Sequence, residues 1–227
     1  MSHRPSMSQP LLAPTFLFRF SVPFLHCSDS WSQGGVQLAD EYRLPCFAEL
    51  EKRQLFADVR AAWNAAGLYF TVRVTGKSQP PWCRETRLDD SDGLHVWIDT
   101  RDTHNVHRAS RFCHHFAFLP SGAGRIFDQA VADQLLINRA RENANPIRPG
   151  SLFIRSESRV DGYLLECHLP AASLTGYDPE QHPRLGFCYV VMDRELGWQP
   201  FSLGSEFPFD EDPSLWGTLD LIASTET

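Results

Sequence analysis

The sequence lacks any block of basic residues. Its 227 residues contain 21 lysines and arginines against 28 aspartates and glutamates, which gives a formal net charge of −7. Because a nucleic-acid-binding surface needs clustered positive charge to neutralise phosphates, we expect no nucleic-acid partner. Hydrophobic residues make up 42% of the chain and include 16 Phe and 6 Trp, a composition typical of a globular protein that buries a core.

A long uninterrupted apolar run is also missing. Residues 11–24 form an apolar stretch, but Arg19 lies inside it, Pro14 and Pro23 interrupt it, and no small-residue cleavage site follows. A signal peptide needs an unbroken apolar segment with such a site, and a membrane-spanning helix needs about 20 apolar residues. We therefore expect no membrane partner, and a protein that is cytoplasmic rather than exported.

The six cysteines form no Cys-x-x-Cys pair. Without an export signal, reduced thiols are expected, because disulfides persist mainly in oxidising compartments. Cys167 and Cys188 lie in apolar strand patterns. They are therefore predicted to be small buried side chains.

Sequence motifs of catalysis and phosphate binding are absent as well. The chain has no G-x-S-x-G, no H-E-x-x-H, no P-loop and no G-x-G-x-x-G. Glu166 and His168 share one strand face, so an acid–base pair is conceivable, although a polar outer sheet face is the simpler interpretation. We therefore predict that the protein is not an enzyme.

What the sequence does contain is a series of short strand patterns. Residues 152–160 and 163–169 flank Asp161-Gly162, a strong hairpin signal, and a Gly-containing loop separates two further strands. The remaining strands are predicted at residues 16–24, 56–63, 68–75, 93–99, 112–119, 185–193, 198–203 and 218–222. This pattern predicts an all-β fold, a two-sheet antiparallel β-sandwich of jelly-roll-like form.

One segment has helical spacing instead. Val131, Leu135 and Leu136 lie at helical spacing within residues 128–141, so we predict one short helix in a long loop. Residues 1–14 are rich in Ser and Pro and are predicted to form a disordered tail. Residues 15–224 are predicted to form a single β-sandwich domain.

The strand at residues 93–99 separates two kinds of side chain. Leu94, Val96 and Ile98 share one face, while His95 and Trp97 share the other. His115 is expected on the same outward side of the next strand, and Met192 on that of a later one. These side chains are predicted to meet on a concave, solvent-accessible sheet face.

Three segments of the chain resemble the family-9 carbohydrate-binding modules. Residues 92–99 resemble that family's D-S-V-E-hydrophobic-F-I-D strand, residues 66–72 its L-Y-V strand, and residues 212–219 its closing D-P-S-x-F-G-x-L segment. The three segments occur in the family's order, and the resemblance covers residues 55–222. It implies a β-sandwich and a non-catalytic ligand-binding function, with a saccharide as the leading ligand class.

The resemblance also implies where a ligand would bind. In that family two Trp rings hold one end of a sugar, and Glu, Arg and Asn side chains contact its hydroxyl groups. Trp82 matches the first ring, whereas Phe207 and Phe209 lie near the position of the second, beside Asp210. The Glu position corresponds to His95, the Arg position falls near His115, and the Asn position corresponds to Met192. The candidate ligand-binding residues are therefore Trp82, His95, Trp97, His115, Arg73 and Met192. The simpler alternative is that both Trp rings pack under loops.

A haem b module is the first alternative function. A His and a Met that face one another can ligate haem iron, and some DOMON-type cytochrome domains are related to this fold. His95 or His115 with Met192 would supply the ligands.

A metal-dependent enzyme is the second alternative. His104, His107, Cys113, His114 and His115 lie within residues 104–115, and zinc prefers such ligands at short spacings. However, His114 and His115 are neighbours in a strand and are expected to face opposite ways.

Calcium is a weaker possibility. Asp89, Asp90 and Asp92 form a small acidic cluster, and calcium binds carboxylate and carbonyl oxygens. The family resemblance also implies structural calcium, although loop acids are more often simply solvated. No feature of the sequence identifies a protein partner.

Overall fold

A computed structural model describes residues 18–47, 54–202 and 204–223. The predicted tail at residues 1–14, the predicted domain start at residue 15 and the end at residue 224 lie outside these ranges, as do the first two residues of the strand predicted over residues 16–24. Strand makes up 44% of the structure. Within the described ranges no helix reaches seven residues, and none has the length and apolar character needed to span a bilayer.

The described residues form two β-sheets that pack face to face. The strands are β1 (Ser21–Leu25), β2 (Ala57–Asn64), β3 (Gly67–Thr75), β4 (Gly93–Asp99), β5 (Cys113–Ala123), β6 (Gln129–Leu135), β7 (Phe153–Arg159), β8 (Gly162–Pro170), β9 (Arg184–Asp193), β10 (Gly197–Pro200) and β11 (Gly217–Ile222). The larger sheet has the order β1-β11-β9-β4-β5-β6, with β10 also paired to β9, and the smaller has the order β2-β3-β8-β7. Only β1 and β11 pair in parallel among the described strands. The predicted two-sheet sandwich is confirmed.

The hydrophobic core lies between the two sheets. The strand at residues 93–99 sends Leu94, Val96 and Ile98 into it, as predicted, and all three are fully buried. Phe70 of the smaller sheet stacks against Phe187 of the larger sheet with ring centroids 6.3 Å apart. Contacts of this kind fix the spacing of the layers, because interdigitated side chains fill the space between sheets at close-packed density.

The outer face of the smaller sheet is covered by the chain that precedes it. Val36 and Leu38 pack on Tyr69 of β3, which is only 1% exposed. The buried Glu166 carboxylate of β8 accepts hydrogen bonds from the backbone N–H groups of Val36 and Gln37, at 3.0 and 2.7 Å. The chain segment around Val36 therefore covers part of the outer face of this sheet.

The helix predicted over residues 128–141 is wrong. Residues 129–135 form β6, an edge strand that pairs with β5. Val131 and Leu135 are four residues apart, a spacing that suits one face of a helix and equally one face of a strand. The segment forms a strand because the backbone N–H and C=O groups along the edge of β5 need hydrogen-bond partners, and β6 supplies them.

A buried charge cluster holds one end of the larger sheet together. The Lys77 ammonium group lies 2.5 Å from Asp193 and 3.4 Å from Asp92, and all three side chains are nearly fully buried. Asp92 also accepts hydrogen bonds from the backbone N–H groups of Trp82 and Arg194. The cluster therefore ties the loop before β4 to the turn after β9.

Replacing Lys77 with Met should destabilise the protein by about 3 kcal/mol, because it leaves two buried carboxylates without their cation. The loss should be greater at pH 7 than at pH 5. Burial raises the pKa of Asp92 above its usual value. Without Lys77, that folded-state pKa would rise further, so stability would fall as the pH rises through it. Urea denaturation at the two pH values measures both effects.

Arg184→Met is the matched control, since Arg184 forms an exposed ion pair with Asp220 at 2.9 Å. It should cost less than about 1 kcal/mol at either pH. Equal losses in the two variants would contradict the assigned role of the buried cluster.

Candidate functional site

Five neighbouring strands of the larger sheet build the floor of a cavity on its outer face. In the register of the sheet, Leu135 of β6 lies opposite His115 of β5, and His115 lies opposite Trp97 of β4. Further along, Met192 of β9 lies opposite Trp198 of β10. Directly paired residues point to the same face of a sheet, so these side chains share one surface.

Loops complete the walls of this cavity. One loop follows β6, one precedes β11, and the turn before β4 contributes Asp89. The cavity encloses about 490 Å³. Its lining residues are Asp89, His95, Trp97, His115, Leu135, Leu136, Asn138, Met192, Trp198, Ser205, Phe207, Phe209 and Asp210. We call this space the outer cavity.

The predicted meeting of His95, Trp97 and His115 is confirmed. The His95 Nδ1 atom lies 3.2 Å from His115 Nε2, and the His115 ring stacks on Trp97 with centroids 4.1 Å apart. The prediction that these side chains are freely accessible to solvent is wrong, since their exposed fractions are 0%, 2% and 9%. Loops fold over the sheet face, and Phe209 meets Trp97 edge to face at 5.4 Å.

Burial keeps the two histidines neutral. It lowers the pKa of His95 to about 4, an effect that the Ser91 carbonyl and Asp89 only partly offset. Burial, together with the neighbouring His95 ring, lowers the pKa of His115 well below its usual value. Near neutral pH the pair therefore shares one N–H···N hydrogen bond and adds no positive charge to the cavity.

Two ring nitrogens of the cavity floor have no partner in good hydrogen-bond geometry among the described residues, although the Ser91 carbonyl acts on the His95 ring from nearby. They are Nε2 of His95 and Nε1 of Trp97, both enclosed. Buried polar groups in folded proteins are nearly always paired, so an unpaired one in a cavity wall requires an explanation. A ligand or bound water in the outer cavity would provide one.

Trp82 does not line the outer cavity. It lies in the loop before β4, where the guanidinium group of Arg194 covers its ring at 3.6 Å from the centroid. Arg84 lies 5.3 Å from the same ring centroid. This ring therefore already has cationic partners from its own chain.

Arg73 lies away from the other candidate residues. It belongs to β3 of the smaller sheet, where it forms an ion pair with Asp161 and a hydrogen bond to the Val74 carbonyl. Its assignment to the site is wrong, because the sheet that carries it is separated from the outer cavity by the core. Met192, by contrast, does line the outer cavity.

The geometry does not favour haem ligation by His95 and Met192 together. The two residues lie on adjacent strands and point to the same face, with His95 paired to Val190 and Met192 to Gly93. Axial haem ligands approach the iron from opposite sides, which two neighbours on one sheet face cannot do. The expected facing arrangement of a His and a Met is therefore absent from this part of the structure.

The His-rich segment 104–115 does not converge on one point. His104 hydrogen-bonds Thr218, and His107 contacts Asp212. His114 faces the opposite side of β5 from His115, as expected, and its Nε2 accepts the Thr175 N–H at 3.0 Å. The described residues contain no group of three or more His, Cys, Asp or Glu side chains placed to hold a metal ion.

The acidic cluster before β4 is likewise dispersed. Asp92 is buried against Lys77, Asp90 pairs with Arg87 at 2.6 Å, and Asp89 lines the outer cavity. Three carboxylates that serve different partners do not form a calcium site. Glu166 and His168 are also engaged separately, the first with Arg155 and the second in a stack on Tyr69.

Sequence reasoning missed several residues of the outer cavity. Leu135, Leu136 and Asn138 were assigned to a helix, and Trp198 was assigned only to a strand. The sequence does not show that these side chains share an enclosed space, because their burial depends on the loops that close the cavity. The signal that was available is the aromatic content of residues 198–209, which brings Trp198, Phe207 and Phe209 to one wall.

Comparisons with known proteins identify the fold. The structure is similar to a family-9 carbohydrate-binding module from Caldicellulosiruptor kristjanssonii in complex with cellotriose, with a TM-score of 0.56 and 11% sequence identity, over 91% of this chain and 95% of that one. A glucose complex of a family-9 module from the same organism gives a TM-score of 0.57 at 12% identity, over 91% and 98% of the chains. A protein from Bacteroides uniformis assigned as carbohydrate-binding gives 0.54 at 12% identity, over 90% and 99%.

No family model matches the sequence, and no curated protein does. The similarity at 11–12% identity therefore shows the fold alone. The fold predicted from three short segments is that of the family-9 modules.

Replacing His95 with Gln should reduce the sensitivity of the protein to acid. A His whose folded-state pKa lies below the unfolded value of 6.5 contributes stability above pH 6.5, and that stability is lost as the pH falls towards 4. The variant should therefore lose about 3 kcal/mol less than the wild type between pH 6.5 and pH 4. Urea denaturation across this range tests the difference.

His182→Gln, outside the outer cavity, is the control and should follow the wild type. If His95→Gln showed the same acid dependence as the wild type, burial of a neutral imidazole at this position would be refuted.

Proposed function

We propose that the chain is a non-catalytic saccharide-binding protein and that its site is the outer cavity. One observation carries the proposal: aromatic rings and unpaired polar groups line the same cavity of about 490 Å³. This volume lies in the range of about 300–1,000 Å³ that is typical of small-molecule sites.

The aromatic side chains suit the apolar faces of a sugar ring. C–H groups of a pyranose stack on the negative face of an aromatic ring, and Trp198 offers such a face at the cavity wall, where it is 51% exposed. Phe207 lines the same space and is partly exposed, whereas Phe209 supports Trp97 from the side. Trp198 is thus the ring best placed to stack on a ligand.

The polar side chains suit the hydroxyl groups of a sugar. Asn138 provides both a donor and an acceptor, Ser205 a hydroxyl group, and Asp89 and Asp210 acceptors. A hydroxyl group can both donate and accept, so it can also satisfy a ring nitrogen whichever tautomer the histidine pair adopts. This combination of stacking rings and mixed donors and acceptors supports a saccharide over a purely apolar ligand.

The structural relatives add support of a different kind. Two of them are described in complex with cellotriose and with glucose, and this chain matches their folds over about nine-tenths of its length. Family-9 modules are non-catalytic binding domains, which favours binding over catalysis here. The lowered pKa values of His95 and His115 also favour binding, because a general acid or base needs a pKa near the working pH.

Titration with glucose, cellotriose and other oligosaccharides, followed by Trp fluorescence, tests the proposal. We expect saturable binding, and we expect Trp198→Ala to weaken it about tenfold, the equivalent of 1.4 kcal/mol and within the range of aromatic stacking. The oligosaccharide should be recovered intact after incubation. Its cleavage would contradict the non-catalytic part of the proposal.

Trp82→Ala is the matched control, because Trp82 lies outside the outer cavity and Arg194 covers its ring. It should leave the affinity unchanged. Loss of binding in Trp82→Ala but not in Trp198→Ala would place the site elsewhere, and no response to any saccharide would refute the proposal.

A further inference from the structure

The charges that line the outer cavity are all of one sign. Asp89 enters from the turn before β4, and Asp210 from the loop before β11. No arginine or lysine is among the lining residues in the described part of the chain. Because His95 and His115 are neutral, two carboxylates determine the electrostatic character of the space.

These two carboxylates differ from the acids next to them in the sequence. Asp90 forms an ion pair with Arg87 at 2.6 Å, and Glu211 one with Arg139 at 3.6 Å. Asp89 and Asp210, which face the cavity, form no ion pair with any described residue. Each cavity-facing acid therefore lies next in sequence to an acid that has a cationic partner, but has no such partner itself.

The environment of Asp210 favours the binding of a cation beside its carboxylate. Burial, and secondarily the charge of Glu211, raises the pKa of the Asp210 carboxyl group. A raised pKa means that the ionised form is less well stabilised there than in water, so a cation beside it is favoured, although solvent screens the attraction because the Asp210 side chain is exposed.

The aromatic walls also favour a positive charge. The faces of Trp and Phe rings carry negative potential and attract ammonium groups, with contributions of about 0.5–2 kcal/mol depending on desolvation. Trp198 and Phe207 bring such faces to the cavity. The unpaired, fully buried Trp97 and His95 nitrogens independently mark the same cavity as a place where a ligand belongs.

We propose that the outer cavity selects a saccharide that carries a free ammonium group, that is, an amino sugar, over neutral and acidic sugars. Asp89 and Asp210 supply the negative charge, and Trp198 and Phe207 supply the rings over which the ligand lies. The inference rests on the proposed saccharide-binding function and specifies its ligand class.

The experiment compares four trisaccharides of matched length by Trp fluorescence and calorimetry on the full chain. They are the glucosamine trimer, its fully N-acetylated form, cellotriose and the galacturonate trimer, and tetramethylammonium is added as a cation without a sugar. We expect the glucosamine trimer to bind about tenfold more tightly than cellotriose, which corresponds to 1.4 kcal/mol. The preference should weaken as salt is raised, since added ions screen the attraction.

The variant Asp89→Asn with Asp210→Asn should remove the preference. It should weaken the binding of the glucosamine trimer more than that of cellotriose, because an Asn side chain still accepts a hydrogen bond from a hydroxyl group but carries no charge. Glu85→Gln with Glu180→Gln changes the net charge equally, at exposed positions outside the cavity lining, and should preserve the preference. This pair of variants separates a local effect of the cavity from the general effect of an acidic protein.

Each outcome is decisive for one of the two proposals. Equal affinities for the glucosamine trimer and cellotriose, or tighter binding of the galacturonate trimer, would overturn the amino-sugar inference and leave saccharide binding intact. Binding of tetramethylammonium but of none of the four trisaccharides would overturn saccharide binding and show that a cation alone is the ligand. No binding of any probe would overturn both.

Discussion

Side chains of β4 alternate between two enclosed environments, and the rest of the molecule is arranged around that alternation. Leu94, Val96 and Ile98 enter the core between the sheets, and His95 and Trp97 enter the floor of the outer cavity. A shift of the strand by one residue would exchange the two sets. It would place a histidine in the apolar core and the apolar side chains of β4 at the cavity floor. The cost of that exchange fixes the register of β4 against β5 and β9, and it therefore fixes the position of the cavity floor.

The walls of the cavity depend on a second constraint, the buried cluster around Lys77. Asp92 lies immediately before β4 and Asp193 at the end of β9, so one ammonium group joins both segments. The first segment carries Asp89 and the second leads into β10, which carries Trp198. A buried ion pair contributes little net stability compared with an apolar packing of the same shape, but it tolerates few alternative geometries. In this protein the ion pair fixes the positions of two walls of the outer cavity relative to its floor.

Most of the strands could be predicted from the sequence because their periodicity records which side is buried. The hairpin at residues 152–169 was found from Asp161-Gly162, where Gly162 has φ +152°, and a Cβ there would lie 2.1 Å from the Val74 carbonyl oxygen. The helix assigned to residues 128–141 failed since apolar residues four apart suit either structure. Arg73 was misplaced because periodicity gives the face of a strand, whereas the pairing of whole strands decides the sheet to which it belongs. The closure of loops over His95 and Trp97 had no local signal, as it depends on contacts with residues more than a hundred positions away.

The resemblance to family-9 modules predicted part of the floor of the outer cavity but not the rings that line its walls. The positions it singled out on β4, β5 and β9 are His95, His115 and Met192, and all three line the outer cavity. The sequence positions of stacking rings are less constrained than the pairing of strands, since any strand or loop that reaches the same space can supply a ring. In this chain the guanidinium group of Arg194 covers Trp82, whereas Trp198 and Phe207 bring rings to the cavity from β10 and the following loop. The ligand preference proposed for this cavity is therefore argued from its own charges, Asp89 and Asp210, rather than from the fold.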